Sequence, residues 1–114
     1  MNVETDSLSL TLAALADPHR RAILARLSRG EADVAELTAP LGLSQPTVSK
    51  HLKVLERAGL IASRKDAQRR PRLLVATPLE ELDVWLETYR KAWESRFERL
   101  DELLKGRDGP DPTK

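Results

Sequence analysis

Residues 44–61, with the sequence SQPTVSKHLKVLERAGLI, decide the fold of this chain. At 3.6 residues per turn, a helix built from this stretch has one apolar stripe, formed by Val48, Leu52 and Leu55. The opposite side carries Pro46, Lys50, Lys53 and Arg57. The stretch therefore predicts an amphipathic helix that packs through its apolar stripe and presents positive charge to the solvent.

Sequence signals also mark the two ends of this helix. Ser44 is a good N-cap, because its side-chain oxygen can accept a hydrogen bond from a free backbone N–H of the first turn. Pro46 is tolerated in that turn, where the N–H groups have no partner within the helix. Gly59 can adopt the left-handed conformation that ends a helix. We therefore predict a helix over residues 44–58.

Two further helices are predicted before residue 30. The first follows the candidate caps Asp6 and Ser7, and its leucines recur at helical spacing at Leu8, Leu12 and Leu15. The second begins at the pair Asp17 and Pro18 and ends at Gly30. Its apolar side consists of Ile23, Leu24 and Leu27. Both helices have one side suited to packing on the helix over residues 44–58.

A short helix is predicted directly before that helix. Asp33 and Glu36 have the spacing of a capping box, and the helix continues through Leu37 until Pro40 and Gly42 end it. A short helix, a turn that contains glycine and a longer capped helix follow one another in a helix-turn-helix. The second helix of that motif recognises DNA, so residues 44–58 are the predicted recognition helix.

The periodicity changes after Gly59. Residues 61–64 alternate between inward and outward positions, and residues 73–75 form a second short run that favours a strand. The polar residues 65–71 between them predict the tip of a hairpin. In a winged helix-turn-helix this hairpin is the wing, whereas in isolation the same residues also fit an ordinary solvated loop.

A long helix is predicted over residues 79–104, after the helix-start pair Thr77 and Pro78. Its apolar residues follow a seam close to heptad spacing, and it carries four aromatic side chains, Trp85, Tyr89, Trp93 and Phe97. The helix either packs on its own domain or pairs with a second chain. We predict a homodimer whose interface includes Leu8, Leu12, Leu15, Leu82, Leu86, Tyr89, Trp93, Phe97, Leu100 and Leu104. Residues 105–114 lack an apolar anchor and are predicted to be disordered.

Charge is distributed unevenly along the chain. Residues 44–77 hold eight basic side chains against two acidic ones, a net charge of +6, whereas residues 78–104 hold four against eight, a net charge of −4. A basic centre with an acidic C-terminal flank indicates one surface for a polyanion and another that avoids it.

Composition excludes several other classes of function. The 114 residues suffice for about one domain, predicted over residues 1–104, and zero cysteines exclude disulfides and thiolate metal sites. Without a membrane-spanning stretch or a secretory signal, the expected location is the cytoplasm. His19 and His51 are far apart in sequence, so we expect no metal and no cofactor. Ser49 near His51 lacks a third catalytic group, so we expect no enzyme.

Residues 12–104 resemble the winged-helix repressors of the ArsR/SmtB type, most specifically in residues 15–24 and 45–61. The last helix is most similar to that of the metal-independent, SdpR-like branch. Metal-sensing members carry cysteines on the helix before the recognition helix, or histidine and carboxylate ligands on the last helix; residues 33–38 and 79–104 contain no Cys or His. The resemblance implies a mainly α fold with a small β-hairpin, in the order α1-α2-α3-α4-β1-β2-α5, and a homodimer that represses transcription from an operator.

Specific side chains are then expected to contact double-stranded DNA. Gln45, Thr47 and Lys50 are suited to base edges near the start of the recognition helix. His51 either contacts phosphate or packs on the domain. The wing, residues 64–72, should contribute phosphate or minor-groove contacts. The complete predicted DNA-binding set is Ser44, Gln45, Pro46, Thr47, Ser49, Lys50, His51, Lys53, Arg57, Arg64, Arg69, Arg70 and Arg72.

These observations predict a homodimeric, sequence-specific regulator that represses transcription, and which could act on its own gene, from a near-palindromic operator. One alternative is a protein-interaction module that docks a partner on the long helix. Another is a repressor that responds to a small molecule bound near Trp85, Tyr89 and Trp93. The sequence does not define an effector.

Overall fold

The computed structural model describes residues 6–108 of the 114-residue chain, with side chains through residue 105. The elements in these residues are α1 (Ser7–Leu15), α2 (Pro18–Leu27), α3 (Val34–Leu41), α4 (Gln45–Arg57), β1 (Ile61–Ser63), β2 (Arg72–Leu74) and α5 (Thr77–Asp108). The predicted winged helix-turn-helix, mainly helical with one antiparallel hairpin, is confirmed.

Aspartate side chains cap the first three helices. Asp6 accepts a hydrogen bond from the Ser9 N–H, and Asp17 accepts from the N–H groups of its second and third following residues. Asp33 and Glu36 form the predicted capping box, in which each side chain accepts from the other residue's N–H at 2.9 Å. These carboxylates satisfy donors that otherwise have no partner at a helix start, and their charge suits that end of the helix.

The core lies where α4 packs on α2, on the other N-terminal helices and on the start of the hairpin. The predicted stripe of α4 is buried, since Val48, Leu52 and Leu55 are at most 1% exposed. Around it lie the buried side chains Ala14, Ile23, Leu24, Leu27, Ala32, Leu37, Leu60 and Ile61. Burial of each large aliphatic side chain contributes about 1.5–3 kcal/mol. The apolar periodicity of α4 therefore fixes which side faces outward.

The hairpin is joined to the segment that precedes α3. Ile61 pairs with Leu74 and Ser63 with Arg72, and Arg72 also exchanges two backbone hydrogen bonds with Ala32, at 2.8 and 3.1 Å. At the tip, Asp66 and Arg69 exchange backbone hydrogen bonds at 2.9 and 3.2 Å. The predicted wing is thus a closed hairpin anchored at its base.

The ends of α3 and α5 are among the element boundaries that differ from the sequence prediction. Helix α3 does not end before Pro40 but includes it and continues to Leu41. Since Pro40 lies in the last turn, its missing N–H costs only one helical hydrogen bond, and Gly42, with φ +66°, ends the helix in the left-handed conformation. Helix α5 runs through Asp108, four residues into the segment predicted to be disordered. Residues 109–114 of that segment lie outside the described residues.

The chain divides into two compact units, one ending at Leu82 and the other beginning at Asp83, so the predicted domain over residues 1–104 contains a boundary. The first unit contains the core, the helix-turn-helix and the hairpin. The second consists of the continuation of α5, where most of the charged side chains occupy one side and most of the apolar ones the other. Arg96 is an exception, since it lies beside Tyr89 and Trp93. None of the helices in residues 6–108 combines the length and apolarity needed to cross a membrane.

Candidate nucleic-acid interface

The outward side of α4 carries most of the predicted DNA contacts. Lys50, Lys53 and Arg57 are exposed, as are the residues of the first turn, whereas Ser49 and His51 are half-buried. The exposed residues of the first turn and its cap are Ser44, Gln45, Pro46 and Thr47. Because the buried stripe fixes the rotation of the helix, these polar and cationic side chains share one accessible surface. We call this surface the α4 face.

The first turn of α4 is organised by its cap. The Ser44 Oγ accepts a hydrogen bond from the Thr47 N–H at 3.3 Å and lies 2.8 Å from the Thr47 Oγ1. The two hydroxyls therefore hold each other, which restricts both rotamers. Gln45 and Pro46 lie between them on the exposed surface. This arrangement offers amide, hydroxyl and methyl groups at the helix start, the end that recognition helices direct at base edges.

His51 packs on the domain, which is one of the two alternatives that the sequence left open for it. Its Nδ1 lies 3.4 Å from the Arg20 Nη1. Arg20 is itself fixed, since its Nε and Nη2 donate to the carbonyls of Ala14 and Ala13 at 2.7 and 2.9 Å. The His51 ring is also 5.8 Å from the ring of His19, centroid to centroid. His51 thus faces the start of α2, and its phosphate contact remains a prediction.

Two of the predicted wing cations are paired with carboxylates. Arg69 binds Asp33, through Nε at 3.1 Å and Nη2 at 2.8 Å, and also reaches Glu36 at 3.1 Å. Arg64 forms an ion pair with Glu31. Hydrogen bonds from the Glu36 N–H and from Arg69 outweigh desolvation and hold the pKa of Asp33 below its ordinary value. Sequence reasoning missed these pairs, because Glu31, Asp33 and Glu36 lie more than 30 positions before their partners.

Arg72 is the least accessible of the predicted wing cations. Only 16% of its side chain is exposed, its Nε lies 3.5 Å from a Glu56 carboxylate oxygen, and its Nη1 donates to the carbonyl of Arg70 at 2.7 Å. Its position in β2 directs it to the neutralising carboxylate of α4 and away from solvent. Arg72 is therefore less suited to a phosphate contact than the exposed cations of the wing, and its contact with DNA stays a prediction.

Arg70 and Lys65 remain as the unpaired cations of the wing. Both are exposed, and neither forms a salt bridge within residues 6–108. Lys65 lies in the polar tip but is absent from the DNA-binding set predicted from the sequence. Its exposure in the hairpin adds it to the candidate phosphate contacts. The wing can therefore offer two free cations to a polyanion, and a third and fourth only if Arg64 and Arg69 leave their carboxylates.

The aromatic side of α5 lies in the second unit and is uncovered. Tyr89, Trp93 and Phe97 are 42–65% exposed, and Leu100 and Leu104 are also exposed. Among the other predicted interface residues, Leu12 is exposed and Leu8, Leu15, Leu82 and Leu86 are half-buried, with Leu15 packed against the core of the first unit. An exposed row of aromatic and leucine side chains is unusual for a monomer and typical of an interaction surface.

The predicted small-molecule pocket near Trp85, Tyr89 and Trp93 is shallow. A concavity of about 250 Å³ is lined by Tyr89, Ala92, Trp93 and Arg96, all from α5 itself. Ligand pockets usually enclose about 300–1,000 Å³ with walls from several elements. This geometry does not favour a small-molecule site there.

Comparison with known proteins supports the same fold. A family model described as a helix-turn-helix domain matches residues 15–64. The HTH-type transcriptional regulator Rv2034 of Mycobacterium tuberculosis is 45% identical over 76 residues, which cover 67% of this chain and 71% of that protein. A crystal structure of an ArsR family transcriptional regulator is 38% identical, with a TM-score of 0.72, and the match covers 78% of this chain and 98% of the other. The chain belongs to the ArsR family of transcriptional regulators.

Other ArsR family relatives match over shorter parts of their length. The biofilm growth-associated repressor of Agrobacterium fabrum is 36% identical over 69 residues, 60% of this chain and 59% of that protein. As an ArsR family member the chain is a DNA-binding transcriptional regulator, and the α4 face coincides with the matched helix-turn-helix. That the relatives regulate transcription also supports the expectation that the chain is not an enzyme.

Proposed function

We propose that this ArsR family protein is a homodimeric repressor that occupies a near-palindromic operator through two copies of the α4 face. The observation that carries the proposal is the division of α4 between a stripe at most 1% exposed and an accessible polar and cationic side. The name of the Agrobacterium fabrum relative, a repressor, supports the sign of regulation. We also propose that the protein acts in the cytoplasm and represses its own gene.

Base readout is assigned to the start of α4. Gln45 can hydrogen-bond adenine in the major groove, the methyl of Thr47 can contact thymine, and Lys50 can donate to guanine. Lys53 and Arg57 lie farther along the exposed side and suit phosphates, as do Lys65 and Arg70 on the wing. Ser44 orients the first turn. Ser49 and His51 are half-buried, so the contacts that they can make are with the sugar-phosphate backbone of DNA and not with base edges.

The homodimer is proposed from the uncovered apolar side of α5. Trp93, 42% exposed, lies near the centre of a stripe from Leu82 to Leu104 that follows near-heptad spacing. A two-fold dimer presents two recognition helices to one side of DNA, so the half-sites should lie roughly 10–11 base pairs apart, or a multiple of that distance.

The metal-independent, SdpR-like assignment concerns the family's usual ligand positions. Within the described part of the chain, neither the segment at α3 nor α5 offers Cys or His. We propose that repression does not depend on a metal at those two positions.

The proposal is tested by selecting bound sites from a random double-stranded DNA library and measuring affinity for the recovered site by fluorescence anisotropy. Lys50→Glu should weaken binding by at least tenfold, because it removes a donor to guanine and places a negative charge against the polyanion. Lys91→Glu is the matched control, because Lys91 is exposed on the charged side of α5.

The DNA proposal fails if Lys50→Glu and Lys91→Glu bind the selected site equally well. It also fails if the library yields no preferred sequence, a result that would favour the protein-interaction alternative. A recovered motif without two-fold symmetry would contradict the dimeric arrangement.

A further inference from the structure

Asp17, His19 and His51 converge at the junction of α2 and α4. One potential ligand atom from each lies within 4.8 Å of the other two, and all three residues are half-buried. The His19 Nδ1 is 3.6 Å from the Asp17 Oδ1, and the two imidazole rings are 5.8 Å apart between centroids. Because the histidines are 32 positions apart in sequence, no metal site was expected between them. The packing of α4 on α2 brings the two side chains together.

The donor set fits a divalent transition metal. Two imidazoles and one carboxylate are common ligands of Zn²⁺, Ni²⁺ and Co²⁺, with bonds of about 2.0–2.2 Å. Ligand atoms in a tetrahedral site with such bonds lie roughly 3.3 Å apart, and the His19 Nδ1 already lies 3.6 Å from the Asp17 Oδ1. Because Oδ1 also accepts the capping hydrogen bonds of α2, the oxygen of this carboxylate that is open to a metal is Oδ2. The widest pair must close by roughly 1.5 Å at most, a distance that rotation of an imidazole side chain supplies.

One carboxylate oxygen of Asp17 is not used by the helix cap. Asp17 accepts both of its helix-capping hydrogen bonds on Oδ1, from the N–H groups of His19 at 2.7 Å and Arg20 at 3.3 Å. Within residues 6–108, Oδ2 accepts no hydrogen bond.

Arg20 is the cation that faces this cluster. Its Nη1 lies 3.4 Å from the His51 Nδ1, while its other nitrogens are held by the carbonyls at the end of α1. If this contact persists, His51 binds a metal through Nε2. The positive charge of Arg20 lowers the affinity for a divalent ion. We therefore expect an ion that binds with moderate affinity and exchanges with the solvent.

We propose that Asp17, His19 and His51 form a binding site for one divalent transition metal ion per chain, completed by water or another small ligand. The site differs in position from the segments at α3 and α5 considered above. A bound ion would join the start of α2 to the recognition helix. The proposal depends on neither DNA binding nor dimerisation, so it can fail or succeed independently of the proposed function.

The test is a titration of the untagged full-length protein with Co²⁺, followed by visible absorption, and with Zn²⁺, followed by calorimetry. We expect one ion per chain. The chain contains only two histidines, so His19→Gln and His51→Gln each remove half of the imidazole ligands. Each should weaken binding by more than tenfold, the loss that follows when even a hydrogen-bond partner of a metal ligand is removed.

Asp17→Asn provides a variant that keeps the fold. Asparagine caps a helix as well as aspartate, so α2 should retain its start while the anionic ligand is lost. It should also weaken binding by more than tenfold. The matched control is Asp83→Asn, which removes an exposed carboxylate of α5 and should leave the affinity unchanged. Circular dichroism confirms that each variant is folded.

Unchanged affinity in a folded His19→Gln or His51→Gln variant overturns the proposal, as does the absence of Co²⁺ and Zn²⁺ binding at millimolar concentration. Loss of affinity in Asp83→Asn equal to that in Asp17→Asn would show diffuse binding by carboxylates and would overturn it as well.

Discussion

Arg69, near the tip of the hairpin, donates two hydrogen bonds to one carboxylate oxygen of Asp33, the N-cap of α3. The same aspartate accepts the capping bond of its helix through its other oxygen, at 2.9 Å. One side chain therefore starts a helix of the DNA-binding motif and holds the wing. Since the Arg69 side chain is 58% exposed, phosphate groups and salt can compete for it.

This relationship predicts that Asp33 restrains the wing in DNA binding. Asp33→Asn preserves the cap but removes the charge that holds Arg69, so DNA affinity should rise about two- to fivefold at low salt, with less effect at high salt. Fluorescence anisotropy measures the change. Glu102→Gln removes the same charge from an exposed position on α5 and is the control. Equal affinities for the two variants would show that Arg69 is not released toward DNA.

The same carboxylates predict a loss of stability in acid. Capping and Arg69 hold the pKa of Asp33 below its ordinary value of 3.8, and Arg64 holds that of Glu31 below 4.5. The unfolded chain therefore takes up more protons as the pH falls, so this contribution is present above about pH 5 and is lost as the pH falls below about 4. Urea unfolding between pH 7 and pH 3.5 should show the loss, and Asp33→Asn should reduce it. A Glu102→Gln curve that differs as much from wild type would contradict the assignment.

Adjacent residues of α4 should separate stability from DNA binding. Leu52 is buried, so Leu52→Ala should lower the free energy of unfolding by about 2–5 kcal/mol. Lys53 is exposed, so Lys53→Ala should change stability by less than about 0.5 kcal/mol but weaken DNA binding and reduce the salt slope by about one. Urea unfolding and anisotropy measure the two effects. Normal DNA affinity in Lys53→Ala would remove Lys53 from the interface.

The proposed dimer is testable on two exposed apolar residues of α5. Trp93→Asp should convert the protein to a monomer and weaken operator binding, because it places a charge in the apolar stripe. Val84→Asp makes the same kind of change at a residue that is 72% exposed among the charged side chains, and should leave the dimer intact. Sedimentation equilibrium distinguishes the two. A monomeric wild type, or equal dissociation in both variants, would refute this interface.

Ala67 at the tip of the wing predicts a stabilising substitution. Its φ of +56° lies in the left-handed region, which costs a residue with a side chain about 1–2 kcal/mol, while glycine adopts it freely. After the greater entropy loss of glycine, Ala67→Gly should raise the free energy of unfolding by about 0.5–1 kcal/mol. Ala25→Gly, in the interior of α2, should lower it by about 1 kcal/mol. A destabilised Ala67→Gly would mean that the turn does not adopt this conformation in solution.

Local pattern was sufficient for most of the architecture. Caps at Asp17, Asp33 and Ser44, and the glycine after α4, act within one or two helical turns, so their sequence spacing predicts where helices begin and end. Periodicity likewise identified the buried stripe of α4 and hence its exposed face, because burial of that stripe dominates the energy of the helix. The sequence did not predict that α3 includes Pro40 or that α5 continues past Leu104. The position of a helix end depends on free-energy differences of about one hydrogen bond, which local pattern does not resolve.

The sequence by itself determined the order of elements, the recognition helix and its outward residues, because each depends on neighbours three or four positions apart. Only the tertiary structure decided which basic side chains are free. It turned Arg72 toward Glu56, paired Arg64 and Arg69 with carboxylates more than 30 positions away, and brought His19 to His51. Those contacts depend on how α2, α3, α4 and the hairpin pack, and charge pairing across such distances leaves no periodic signal in the sequence.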